Sequence, residues 1–167
     1  YALCQVPWTY YYGWIKNCNT VILIAGEKPA DKQKAGAGIA YAMRAMFYMD
    51  LARMYAPKTY AEDKNSPTVP KITEKAVEDM YNNPRMTNEE IFAFILSDLD
   101  KAEEYIAGYK RADKYTPDLS VVYGLKARAY LTMADWPNAE KYAKLAQQGY
   151  TEMTGEEYTS KTLGFNT

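Results

Sequence analysis

The chain has 167 residues with 20 basic and 21 acidic side chains well interspersed, a formal net charge of -1, no His and two Cys. Balanced charge excludes the basic footprint of a nucleic-acid or anionic-membrane binder. The lack of His, with only Cys4 and Cys18 as thiols, leaves too few ligands for a structural metal site, so neither metal nor cofactor is expected.

Hydrophobic period and caps predict five helices and no strand. The first covers residues 8–25, with Trp8, Tyr12, Ile15, Asn19 and Ile22 on one stripe. Tyr10 and Trp14 lie four residues apart on a second face that the core does not need. Two aromatics side by side there are candidate ligand-binding residues, able to stack a sugar ring, or else a surface that packs on another protein part. Cys4 and Cys18 leave two readings open, a disulfide or two buried thiols.

The second helix, residues 38–55, is apolar nearly all round, which marks a buried central helix whose Arg44, Asp50 and Arg53 must find partners or an edge. A connection of about thirty residues follows, 56–86, holding four of the eight prolines; it reads as ordered but irregular, with a short helical turn over 74–81. The third helix starts at a capping box, Thr87 with Glu90, carries Ile91, Ile95, Leu99 and Ile106 towards the core, and stops at Gly108. Arg44 and Asp98 are the charges most embedded among apolar neighbours, and each is expected to be paired, Asp98 being the first partner considered for Arg44. Asn19, on the inner stripe of the first helix, is expected to tie backbone groups together.

The fourth and fifth helices, 120–133 and 137–149, fall on the spacing of a tetratricopeptide-type hairpin. Tyr123, Ala127 and Tyr130 take its first three slots, Trp136 sits at the turn, and Ala139, Ala143 and Ala146 let the second helix lie close on the first. Lys126 stands where the template has Leu. Asp135 is the expected N-cap and Pro137 the first-turn residue. The tail, 151–167, has no hydrophobic period and reads as the start of a following segment; residues 1–150 form the helical repeat region. The fold class is therefore all-α, antiparallel helical hairpins of tetratricopeptide-like type with a long irregular connection between helices 2 and 3.

Four blocks occur in order: Trp8-x3-Tyr12-x2-Ile15-x3-Asn19; GIAYAMRAMFYMDLARMYAP at 38–57; PTVPKIT at 67–73 with NPRMTNEEIFAFILSDLDKAEEYI at 83–106; and YGLKARAYLTMADWPNAEKYAKLA at 123–146. Together they resemble the SusD/RagB family of outer-membrane glycan-binding lipoproteins of Bacteroidetes. Two positions depart from the family pattern: Ala37-Gly38-Ile39-Ala40 replaces the usual Gly-Glu-Ala opening of the second helix, and Ala56 replaces the Gly after its end. The resemblance implies a surface-exposed lipoprotein of the outer membrane that binds oligosaccharide and delivers it to a SusC-like TonB-dependent transporter. Its lipid anchor would lie upstream, since neither Cys4 nor Cys18 has a lipobox before it, and much of the glycan site would come from segments beyond the repeats. Family members are far longer than this chain.

The acidic residues Glu89, Glu90, Asp100, Glu103 and Glu104 fall beside Lys101 and Lys110 in the manner of a solvated face, so no convergent carboxylate pair for glycoside hydrolysis is expected and catalysis is not predicted. The alternative function is a tetratricopeptide-like adaptor for protein partners. The irregular 56–86 connection speaks against it.

Overall fold

The computed structural model describes residues 2–75, 83–113 and 115–160. Five long helices pack in chain order: α1 (Ala2–Ala25), α2 (Asp31–Tyr55), α3 (Asn88–Ile106), α4 (Leu119–Thr132) and α5 (Trp136–Gln147). Each lies against the next, and α2 also touches α4. The helices alternate in direction: Tyr55 at the end of α2 donates to the Cys4 carbonyl at the start of α1, and Ser120 Oγ at the start of α4 donates to the Ala146 carbonyl at the end of α5 at 2.6 Å. The all-α class, with tetratricopeptide-like hairpins, is as the sequence indicates.

The core is built on α2, whose Tyr41, Ala45, Tyr48, Leu51 and Ala52 are buried against α1 on one side and Ile91, Ile95, Leu99 and Ile106 of α3 on the other. α2 begins at Asp31, seven residues before the predicted start, because Lys-rich polar positions and two glycines conceal the first two turns. Gly38 has a packing reason: a Cβ there would stand 2.6 Å from Ile106 Cγ1 and 3.2 Å from the Ile106 backbone nitrogen. α1 likewise starts six residues early and carries Pro7 within it.

Two short strands correct the expectation of none. β1 (Pro67–Pro70) pairs antiparallel with β2 (Arg85–Thr87), folding the α2–α3 connection back on itself. Thr68 Oγ1 also donates to the Met86 carbonyl at 2.8 Å, and the prolines stand at the strand ends, where a missing N–H costs least. β2 runs straight into the Thr87 cap of α3, whose hydroxyl accepts from the Glu90 N–H while the Glu90 carboxylate takes the Thr87 N–H. The turn expected over 74–81 falls largely outside the described residues.

In the tail, a short helix α6 (Gly155–Thr159) forms behind its own capping box, Thr154 with Glu157. Cys4 is exposed and Cys18 buried; both are free thiols.

Lys126 explains its departure from the helical template. Its residue is 1 % exposed, yet Nζ reaches Asp100 at 2.6 Å and also Glu103 on α3, and lies 4.9 Å from the centre of the Tyr142 ring of α5. Asp100 and Glu103 are thus partners of a buried cation rather than members of a plain solvated face, and the ammonium is held charged against burial by these two carboxylates.

Two substitution pairs test this packing. Gly38→Ala is expected to destabilise by about 1–3 kcal/mol through overpacking on Ile106, whereas Gly36→Ala, with open space around its Cβ, is expected to stabilise by roughly 0.5–1 kcal/mol through helix propensity. Opposite shifts in thermal midpoint are the required outcome. Asp100→Ala with Glu103→Ala strands the buried ammonium and is expected to cost about 3–5 kcal/mol in denaturant titrations, while Lys126→Leu is expected to be neutral or stabilising.

Candidate functional site

The inner stripe of α1 holds the polar centre of the molecule. Arg44 of α2, 2 % exposed, donates from Nε and Nη2 to the two oxygens of Asp98 on α3 at 2.7 and 2.9 Å. Its Nη1 donates to Asn19 Oδ1 of α1 at 2.7 Å and to Glu74 Oε2 of the connection at 2.6 Å. The rings of Tyr41 and Phe94 each lie 5.2 Å from the guanidinium carbon. The planar fork of Arg matches one carboxylate with two parallel bonds and still has a nitrogen for two more acceptors, which Lys lacks.

Asn19 passes the connection on to the backbone: its Nδ2 donates to the Ile72 carbonyl at 3.1 Å. Tyr48 Oη donates to that same carbonyl at 2.8 Å and accepts from the Ile72 N–H at 2.7 Å. Tyr12 Oη donates to the Pro70 carbonyl at 2.6 Å. Four side chains from two helices therefore clamp residues 70–74 onto the bundle. The sequence does not single out Glu74. No local period marks it; it stands four residues beyond the proline-flanked Pro67–Pro70 strand.

The electrostatics follow the geometry. Burial raises the Glu74 carboxyl, but the hydrogen bond from Arg44, a bond to its own backbone N–H and the guanidinium charge together bring it below the ordinary value. Burial pushes the Asp98 carboxyl up against the pull of the same Arg44. The Tyr12 and Tyr48 hydroxyls are raised chiefly by burial and stay protonated donors.

Between α1 and residues 72–74 lies a cleft of about 530 Å³, lined by Trp8, Tyr12, Lys16, Leu23, Ile72 and Glu74 among others. Trp8 packs edge-on against Tyr55 at 5.1 Å and tilts against Tyr12 at 4.9 Å, so the signature aromatics of this stripe serve the α1–α2 contact.

The opposite face of α1 carries Tyr10 and Trp14, which are 60 % and 44 % exposed. Their ring centres are 6.1 Å apart and their planes tilt by 40°, so they do not make one flat platform. Trp14 is further engaged with Phe47 at 5.3 Å and Tyr11 at 5.2 Å. Beside them an open groove of about 540 Å³ runs between α1 and α2, floored by Cys18, Met43, Met46 and Phe47. Burial pushes the Cys18 thiol up to about 11, so it stays protonated at neutral pH.

At the other end of the molecule, Tyr130 stacks on Tyr142 at 5.5 Å with planes only 10° apart, and Tyr123 tilts onto the same ring at 6.0 Å. Ala139 is buried at the crossing of α4 and α5, while Trp136 is largely exposed at the turn. Asp135 caps α5 by accepting from the Asn138 N–H. Among the described residues, no group of three His, Cys, Asp or Glu side chains is placed to hold a metal ion, and no helix is long and apolar enough to cross a membrane.

Removing the centre of the clamp has a defined cost. Arg44→Met is expected to destabilise by about 3–5 kcal/mol, because it leaves Asp98 buried and unpaired, and Arg44→Lys is not expected to restore stability. Denaturant midpoints measure both, with hydrogen exchange at the Ile72 amide reporting release of the connection. Glu74→Gln gives a pH test. With a depressed folded pKa, Glu74 contributes stability that is present above its unfolded value of about 4.3 and is lost as pH falls through the folded pKa. The wild-type advantage over Glu74→Gln should accordingly be full at pH 7 and vanish in acid.

Comparison with known proteins agrees with this architecture. A family model, SusD-like_3, described as starch-binding associating with outer membrane, matches residues 3–131. A SusD-like carbohydrate binding protein from Bacteroides vulgatus is similar in structure with a TM-score of 0.82 and 27 % identity, covering 92 % of this chain and 33 % of its own. A putative sugar binding protein from the same organism is similar with a TM-score of 0.77 and 28 % identity, covering 91 % of this chain and 36 % of its own. A SusD superfamily protein from Bacteroides thetaiotaomicron, at 22 % identity and a TM-score of 0.79, covers 92 % of this chain and 35 % of its own and shares the fold. The chain thus spans about a third of the length of these structures. No curated protein matches it. With the family model covering most of the helical bundle, the chain belongs to the SusD-like family.

Proposed function

We propose that this chain is the helical-repeat portion of a non-catalytic glycan-binding protein that captures oligosaccharide or polysaccharide at the bacterial cell surface and delivers it to a SusC-like TonB-dependent transporter. In this reading residues 1–150 are the repeat scaffold, 151–167 open a following segment, and the protein is held at the outer membrane by an N-terminal lipid anchor outside this chain. The observation that carries the reading is the family match over residues 3–131, whose description is starch-binding with outer-membrane association. A relative described as a carbohydrate binding protein, similar over 92 % of this chain, supports it.

The disposition of the carboxylates supports a binding rather than a hydrolytic role. Asp98 and Glu74 are spent on Arg44, and Asp100 and Glu103 on Lys126. A pair of glycosidase carboxylates must instead face each other across an open gap. The tetratricopeptide-like adaptor reading rests on the α4–α5 hairpin alone. A regular array of such hairpins has no use for a clamped β-hairpin connection between α2 and α3.

Tyr10 and Trp14 are an exposed aromatic pair that a sugar would reach. Their 40° tilt and the engagement of Trp14 with Phe47 favour an interface over a stacking platform, since sugar rings stack on broad flat faces.

The test uses the full-length protein in affinity gels cast with soluble polysaccharides. Retention by at least one polysaccharide without shortening of that polymer is the expected result; depolymerisation, or no retention across a broad panel, overturns the reading. In the same gels the double variant Tyr10→Ala, Trp14→Ala is expected to be retained like the wild type. Loss of its retention, with the far-UV spectrum unchanged, would assign the glycan contact to this face.

A further inference from the structure

The exposed surface of α1 is sorted into two strips. Helical side chains advance by roughly 100° per residue, and the exposed polar residues Gln5, Thr9, Lys16 and Thr20 fall together on one flank. The exposed apolar residues Leu3, Val6, Tyr10, Trp14, Val21 and Ile24 fall on another, opposite the buried stripe, while one exposed apolar residue, Leu23, lies on the polar flank. Their spacing is three, four, four, seven and three, and Asn17 divides the seven into three and four. That is the alternation of an apolar seam that another helix covers, with a single polar residue of the kind that sets register.

The seam runs the length of the helix, about 30 Å, and α1 has only one charged residue, Lys16, in its 24 positions. A helix apolar on two opposite sides is an interior helix; a surface helix keeps its outer face charged. At Trp14 and Asn17 the seam opens into the groove floored by Met43 and Met46 of α2. Unbranched Met side chains adapt to an incoming knob, so this groove offers a two-helix seat.

We propose that α1 is an interior helix of the intact protein, and that its outer seam is covered by an α-helix supplied by the same polypeptide from beyond these 167 residues. The chain accounts for about a third of the length of the solved structures it matches, so a polypeptide of that size has ample length to supply a cover. Lys16, on the polar flank, is the one charged residue of α1, so the seam itself provides no charge pairing for a separate partner, and a seam some 30 Å long and near-continuously apolar suits permanent burial. On this assignment Tyr10 and Trp14 are knobs of an internal helix contact.

Cysteine accessibility in the full-length protein tests the proposal. In a Cys4→Ser background, with Cys18 buried, single substitutions Val6→Cys, Val21→Cys and Ile24→Cys probe the seam, and Thr9→Cys and Lys16→Cys probe the polar flank. Reaction with a maleimide should be at least about tenfold slower at the seam than on the flank, at every protein concentration. Equal rates on the two strips overturn the proposal. So does protection that disappears on dilution, which would assign the seam to a second copy, and so does protection that appears only when transporter or polysaccharide is added. Polysaccharide retention measured on the same variants separates this result from the glycan-binding reading.

Discussion

Arg44 is the constraint on which the rest depends. A guanidinium 2 % exposed is tolerable only if nearly every donor is taken, and its acceptors come from three separate places: Asn19 on α1, Asp98 on α3 and Glu74 on the connection. The ion pair therefore fixes the mutual placement of three helices. It also fixes the path of residues 70–74, since Asn19 and Tyr48 hold the backbone of Ile72 between them. Apolar contacts alone would allow the helices to slide; a fork with defined directions does not.

This arrangement gives the irregular connection a role. A thirty-residue excursion between two helices normally carries an entropic cost that a compact scaffold avoids. Here it is recovered by a small β-hairpin, by tyrosine hydroxyls directed at carbonyls, and by a strand that leads straight into the α3 cap. A scaffold made this way presents shaped loops at fixed positions.

Tyrosine, the commonest aromatic here, is used twice over. Tyr12 and Tyr48 bury their rings between helices and use their hydroxyls as donors to the connection, which Phe would leave unmade. Tyr123, Tyr130 and Tyr142 form a ladder between α4 and α5 under the buried ammonium of Lys126. Composition makes tyrosine conspicuous, but its two uses differ by whether the hydroxyl meets a carbonyl, and that depends on the neighbouring element.

What the sequence by itself determined is what depends on near neighbours. Thr87 with Glu90 and Asp135 with Pro137 mark helix starts because caps act within three residues, and the stripe Trp8, Tyr12, Ile15, Asn19 marks the inner face of α1 because period and burial coincide. The isolation of Arg44 and Asp98 among apolar residues was enough to require partners for both. Tertiary structure alone decided that Glu74 completes the Arg44 cluster, that Lys126 is buried against Asp100 and Glu103, that 67–70 pairs with 85–87, and that Gly38 clears the way for Ile106. Each of these joins residues more than ten positions apart whose own surroundings in the chain are ordinary, so no local period or cap records them; they follow from where the packed helices bring the side chains.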